Sequence, residues 1–131
     1  MAKLAALSKT SKFSGLGRRP RDRAVLVCIA LLNQLGHHRA RLRGFVSTWL
    51  RMLSGSSSQL KFTVTIRGTS YPVVARLDDR ADYQTIWECF GDMYQMPRVP
   101  IRHVFDGGGN LGLFSLAAAA HTEAEDIVVV E

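Results

Sequence analysis

The sequence predicts an α/β fold: the start of a doubly wound sheet, preceded by N-terminal helices and a β-hairpin. Three observations carry that prediction. Residues 101–130 read as strand, helix, strand with lengths suited to a parallel βαβ unit. A glycine-rich turn joins the first of those strands to the helix. Upstream, the apolar period changes from helical spacing to strict alternation across Ser54-Gly55-Ser56-Ser57-Ser58, which marks an internal boundary. The chain divides there into a basic, mainly helical segment, 1–59, and the opening of an α/β domain, 60–131.

Each element has a local reason. Residues 1–22 are rich in Lys, Arg, Ser and Gly and are expected to be mobile or loosely helical. Residues 23–35 form a buried helix. Residues 39–53 form a second, with Leu42, Val46, Trp49, Leu50 and Leu53 on one packing face and a solvated arginine face opposite. Phe62, Val64 and Ile66 alternate with polar residues, as do Tyr71, Val73, Ala75 and Leu77, so a hairpin turning at Gly68-Thr69-Ser70 is expected, with Pro72 at an edge. Tyr83, Ile86, Trp87 and Phe90 recur at i, i+3, i+4 and i+7 of a core-packed helix that starts among the acids at 79–82 and is ended by Gly91 and Pro97. A strand at 101–105, a helix at 111–120, a polar loop at 121–126 and a strand at 127–130 follow. The last is continuously apolar and is expected to be buried on both faces.

Composition narrows the function classes. The 131 residues suffice for one ordinary domain. The longest apolar run, Ala24–Leu32, has nine residues, too few for a transmembrane helix. No small-x-small site follows it, so it is not read as a secretory signal. Cys28 and Cys89 stand far apart in apolar surroundings, which fits reduced thiols and a cytoplasmic protein. His37-His38 has no nearby acid or thiol, and no metal site is predicted. Charge is uneven: residues 1–60 hold eleven Lys/Arg and one acid, Asp22, whereas residues 61–131 hold six Lys/Arg and ten acids. The basic half could meet an anionic membrane surface peripherally. Nucleic acid is disfavoured, because no aromatic-interleaved basic motif is present.

The candidate site lies in "VFDGGGNLGLFSLAAAA", residues 104–120. Its glycines allow positive φ, close approach of a ligand to the backbone and tight helix–strand packing. The helix that follows offers unpaired N–H groups. Gly107-x-Gly109-x-x-Gly112 fits a dinucleotide fingerprint, and Glu131 ends the next strand where a carboxylate can hold ribose hydroxyls. The same residues also read as Asp106-x-Gly108-x-Asn110-x-Gly112. A carboxylate at Asp106 suits a cationic cofactor with an amino group better than a pyrophosphate. S-adenosylmethionine is such a cofactor. NAD is the alternative.

With "IVVVE" at 127–131, this stretch resembles the opening of a class I, Rossmann-like S-adenosylmethionine-dependent methyltransferase of the FkbM family. That family has an Asp-x-Gly-Ala-Asn-x-Gly-x-Phe/Tyr-Ser loop and a following strand ending in Glu-Pro. Asp106, Gly108, Asn110, Gly112, Phe114, Ser115 and Glu131 match, and Gly109 stands where alanine is usual. "YPVVARLDDRADYQTIWECFGDMY", residues 71–94, is similar to the family's lead-in, so the resemblance covers about residues 60–131. It implies that Asp106 and the backbone of Gly107, Gly108, Gly109 and Gly112 cradle the methionine part of the cofactor. Asn110 would support the turn or the amino-acid moiety, and Glu131 would hold the ribose. The implied reaction is methyl transfer to a hydroxyl of a sugar, glycan or small metabolite; no catalytic base can be nominated. The family's remaining strands and acceptor site follow that Glu, so the chain is expected to be the N-terminal part of a methyltransferase and inactive alone. A third reading is a non-catalytic basic module bound to an anionic membrane.

Overall fold

The computed structural model describes residues 2–35, 39–55, 57–91, 100–107, 112–122 and 124–130. Over these residues the protein is mixed α/β. Three helices come first, α1 (Ala2–Gly15), α2 (Pro20–Gln34) and α3 (Ala40–Ser54). A hairpin of β1 (Gln59–Ile66) and β2 (Thr69–Arg76) leads to α4 (Arg80–Phe90). The chain continues through β3 (His103–Gly107), α5 (Leu113–His121) and β4 (Asp126–Val130). β1 and β2 pair antiparallel, whereas β3 and β4 pair in parallel with α5 between them in sequence.

α2 starts at Pro20, earlier than periodicity alone indicates. Proline is preorganised for a first helical position, and the Asp22 carboxylate accepts from the Arg19 backbone N–H at 3.0 Å. Its faces are buried by α1, α3 and α4, and Val25, Leu26, Ile29 and Ala30 are fully enclosed. α3 ends on Gly55 at φ 63°, a left-handed cap that glycine adopts without strain. α4 is capped by Asp79, which accepts from the Ala81 N–H at 2.8 Å. One apolar cluster runs from Phe13 through α2, α3, the hairpin and α4 to Leu113 and Ala120 of α5.

Several expectations are corrected. Residues 8–22 are an integral part of the fold, with α1 reaching Gly15 and α2 starting at Pro20. Phe13 is buried, edge-on to Trp87 with ring centroids 4.9 Å apart. The segment after α1 then lies along β1: Arg18 N–H donates to Thr63 O at 3.1 Å, and Thr65 N–H to Leu16 O at 2.6 Å. Low apolar content concealed this because Phe13 and Leu16 pack on the core while hydrogen bonds tie the rest of the segment in place. The hairpin turns at Arg67-Gly68, whose φ values of 51° and 82° suit a tight two-residue loop, so Thr69 and Ser70 belong to β2.

The supposed packing face of α3 is split. Val46 and Leu50 are buried, while Leu42 and Trp49 face solvent together with Phe45 and Met52. The apolar arc is wider than its neighbours α2 and β1 cover. Nor is the arginine face wholly solvated. Arg43 donates to Leu35 O at 2.9 Å, satisfying the end of α2, and Arg21 joins α2 to Leu53 O and Lys61 O.

β3 begins at His103 rather than residue 101 and extends through Asp106 to Gly107. Val128, Val129 and Val130 of β4 are exposed rather than buried on both faces, and Phe105 of β3 is exposed beside them. The physical reason is the sheet's width: α5 packs on this pair, and among the described residues no third strand joins it. His37-His38 and Pro97 lie outside the described residues. Among the described residues no helix is long and apolar enough to cross a membrane, and no three metal-binding side chains gather.

Candidate functional site

Asp106 is the candidate-site side chain with the most defined surroundings. It lies one residue from the carboxyl end of β3, opposite Val129 of β4, and is 6% exposed. Alternation along β3 turns Val104 and Asp106 away from the exposed side chains of His103 and Phe105. The carboxylate accepts a 2.6 Å hydrogen bond from the hydroxyl of Ser115, in the first turn of α5. A buried carboxylate is costly without such a donor. Ser115 thus fixes the acid against the helix that follows the glycine turn.

Gly112 sits where the turn becomes helix. Its φ of 67° and ψ of 13° lie in the left-handed region, and its carbonyl accepts from Leu116 N–H at 2.9 Å. A Cβ there would meet no atom, so backbone conformation is what requires glycine. Gly107 ends β3 opposite Val130. A Cβ on Gly107 would lie 3.3 Å from the Phe105 ring, a close but local contact. Ala117, Ala118 and Ala120 are buried on α5, and their small side chains let the helix lie close to its neighbours. Gly108, Gly109, Asn110 and Glu131 lie outside the described residues. Because β3 and β4 are parallel, Val130 brings the end of β4 beside the end of β3 that carries Asp106 and Gly107.

The surroundings of Cys89 and of Asp82 depend on the fold. Cys89 of α4 is buried, and its thiol is pushed up to about 12 by that burial, aided by the charges of Glu88 and Asp106. It therefore stays protonated at neutral pH. Asp82, expected simply to favour the start of α4, is completely buried. It accepts from Arg76 backbone N–H at 2.7 Å, Nε at 3.1 Å and Nη2 at 2.6 Å. Burial pushes its carboxyl up, but the hydrogen bonds and charge of Arg76 outweigh this and hold it below the ordinary value. The signal available in the sequence was an Arg six residues before an Asp at a strand-to-helix junction. Such a pair organises the frame and carries no chemistry of its own.

A cavity of about 180 Å³ lies elsewhere, between α2, α3 and α4, lined by Leu32, Asn33, Arg43, Leu50, Arg51 and Tyr83. It contains neither Asp106 nor a glycine of the turn. Arg51 there is paired with Asp78, and the Tyr83 hydroxyl donates to Leu77 O.

No family model, curated protein or solved structure matches the chain.

Proposed function

We propose that residues 60–131 form the opening of a doubly wound, Rossmann-like S-adenosylmethionine-dependent methyltransferase domain. The acceptor class is a hydroxyl of a sugar or small metabolite. The observation that carries this reading is the buried Asp106 at the carboxyl end of a parallel strand, held by Ser115 and followed by the left-handed Gly112. Ligands of open parallel sheets bind at that end of the strands. A fixed negative charge there attracts a sulfonium and an ammonium group, and repels a pyrophosphate. For the same reason NAD is the second candidate.

Asp106 would hold the amino-acid end of the cofactor, with the backbone from Gly107 to Gly112 around it. Glu131, next after Val130, would take the ribose at the tip of the neighbouring strand. The cofactor supplies a methyl group on a good leaving group, so the protein's share is mainly alignment of the acceptor. The open sides and exposed valines of β3 and β4 are features that further strands and helices of a doubly wound sheet would cover.

Isothermal titration of the chain with S-adenosylmethionine, S-adenosylhomocysteine and NAD tests the reading. Heat with the first two, none with NAD, and about a tenfold or greater weakening in Asp106→Ala are expected. Binding of NAD alone, or S-adenosylmethionine affinity unchanged by Asp106→Ala, would overturn it.

A further inference from the structure

α3 carries an apolar arc of which the fold uses one part. Val46 and Leu50 enter the core. Leu42, Phe45, Trp49 and Met52 remain 46%, 62%, 46% and 70% exposed. Their spacing of three, four and three residues lines them along one side of the helix. Phe45 and Trp49 touch each other on it, with ring centroids 6.3 Å apart. Large side chains exposed singly are ordinary, whereas a contiguous row over three helical turns is a docking surface.

Charge identifies the occupant. Residues 23–77 contain eight Lys/Arg and no Asp or Glu. Arg39 and Arg41 stand exposed at the start of α3, and Lys61 and Arg51 are exposed near its end. Arg51 pairs with Asp78. The nearby acids of the second half are committed in place: Asp79 and Asp82 to Arg76, and Glu88 to Gln84. A second copy of the stripe would bring arginines against arginines. A nucleic-acid backbone would answer the charge but leave four large apolar side chains in water. An anionic bilayer answers both, since its headgroups are negative and its acyl boundary accepts aromatic, Leu and Met side chains.

We propose that α3 lies in the surface of an anionic lipid bilayer, inserting Leu42, Phe45, Trp49 and Met52 with Arg39 and Arg41 at the headgroups. Trp49 suits that depth, where its amphipathic ring meets both phases, and Phe45 belongs to the inserted apolar face. The surface is independent of the Asp106 site and stands or falls separately from it.

Sedimentation with phosphatidylcholine vesicles, with and without about 30 mol % phosphatidylserine, tests this. The full chain should sediment with the anionic vesicles, stay behind with the neutral ones, and be released by about 0.5 M salt. Phe45→Ser/Trp49→Ser should weaken partitioning by about tenfold or more while circular dichroism is unchanged, because both positions are exposed. Arg39→Gln/Arg41→Gln, which leaves the stripe intact, should also weaken it and reduce its salt sensitivity. Failure to sediment with anionic vesicles overturns the proposal, as does binding by both double variants that equals the parent's. Light scattering that shows a dimer lost in Phe45→Ser/Trp49→Ser, without vesicle binding, assigns the stripe to a second copy and also overturns it. Retention of RNA but not vesicles does the same.

Discussion

The Ser115 hydroxyl donates to the Asp106 carboxylate across 2.6 Å, tying the first turn of α5 to the end of β3. Ser115→Ala leaves a buried carboxylate without this donor. Loss of one hydrogen bond to a charged group costs about 1.5–3 kcal/mol. Urea denaturation should register that loss, and S-adenosylmethionine titration should show weaker binding through a less firmly held Asp106. Ser115→Thr, which keeps a hydroxyl, should retain more of both properties than alanine. Equal stability of Ser115→Ala and the parent would show that this hydrogen bond does not stabilise the fold.

Gly112 makes a backbone prediction separable from sterics. Its φ is 67°, yet a Cβ would meet nothing within 4 Å. Gly112→Ala should therefore cost about 1–2 kcal/mol from left-handed strain alone. Gly112→Asn should cost less, since asparagine visits that region more readily. Thermal melts of the three proteins should rank glycine, asparagine, alanine from most to least stable. Alanine equal to glycine would show that the turn adopts another conformation.

Asp82 gives the fold an acid-sensitive joint. Its carboxyl is held below the ordinary 3.8 by Arg76, against the opposing effect of burial. A depressed folded-state value means stability that is present above the unfolded value and lost as pH falls through the folded one. Urea midpoints should therefore fall as pH is lowered below about 4. Asp82→Asn should reduce this dependence and lower stability at pH 7 by about 2 kcal/mol, less than for a fully enclosed pair because Arg76 still reaches water. An unchanged acid limb in Asp82→Asn would assign the dependence to other carboxylates.

These residues show how much the sequence discloses. The helical spacing at 83–90 and the alternation on either side of Gly68 are repeated local signals, and the elements they indicate form. The strand ending at Gly107, the left-handed Gly112 and the helix after it were similarly legible, because residue types that occupy those backbone states are few. What was not legible depended on long-range partners. Phe13 meets Trp87 across 74 positions of chain, and Arg21 meets Lys61. The valines of β4 read as buried because apolar runs report the propensity for burial, while the available neighbours decide it. The Ser115 role likewise rests on a partner nine residues away, Asp106 on the preceding strand.

The two thiols should be silent in the native protein. Cys28 and Cys89 are buried, and burial raises both, Cys89 to about 12 with help from Glu88 and Asp106. Reaction needs an accessible thiolate. A colorimetric disulfide reagent at pH 8 should label neither quickly and both as urea unfolds the chain. Labelling kinetics should follow the fluorescence transition. Immediate reaction of one thiol per chain would show that its surroundings open without global unfolding.

Phe13 provides the sharpest test of the N-terminal segment. It is 1% exposed, packs edge-on to Trp87, and is followed by backbone bonds from Leu16 and Arg18 to β1. Removing a buried phenyl ring leaves a cavity as well as a transfer loss, about 3–5 kcal/mol where neighbours cannot collapse. The lower end applies here, because α1 contacts chiefly α2 and can shift. Phe13→Ala should therefore destabilise by about 3 kcal/mol. Trp87 should become more accessible to acrylamide, a local readout that a distant effect would not move. Phe13→Leu should recover part of the stability by refilling the space, without the aromatic contact. If Phe13→Ala unfolds at the same urea concentration as the parent, α1 contributes nothing to the core and residues 1–17 are an appendage.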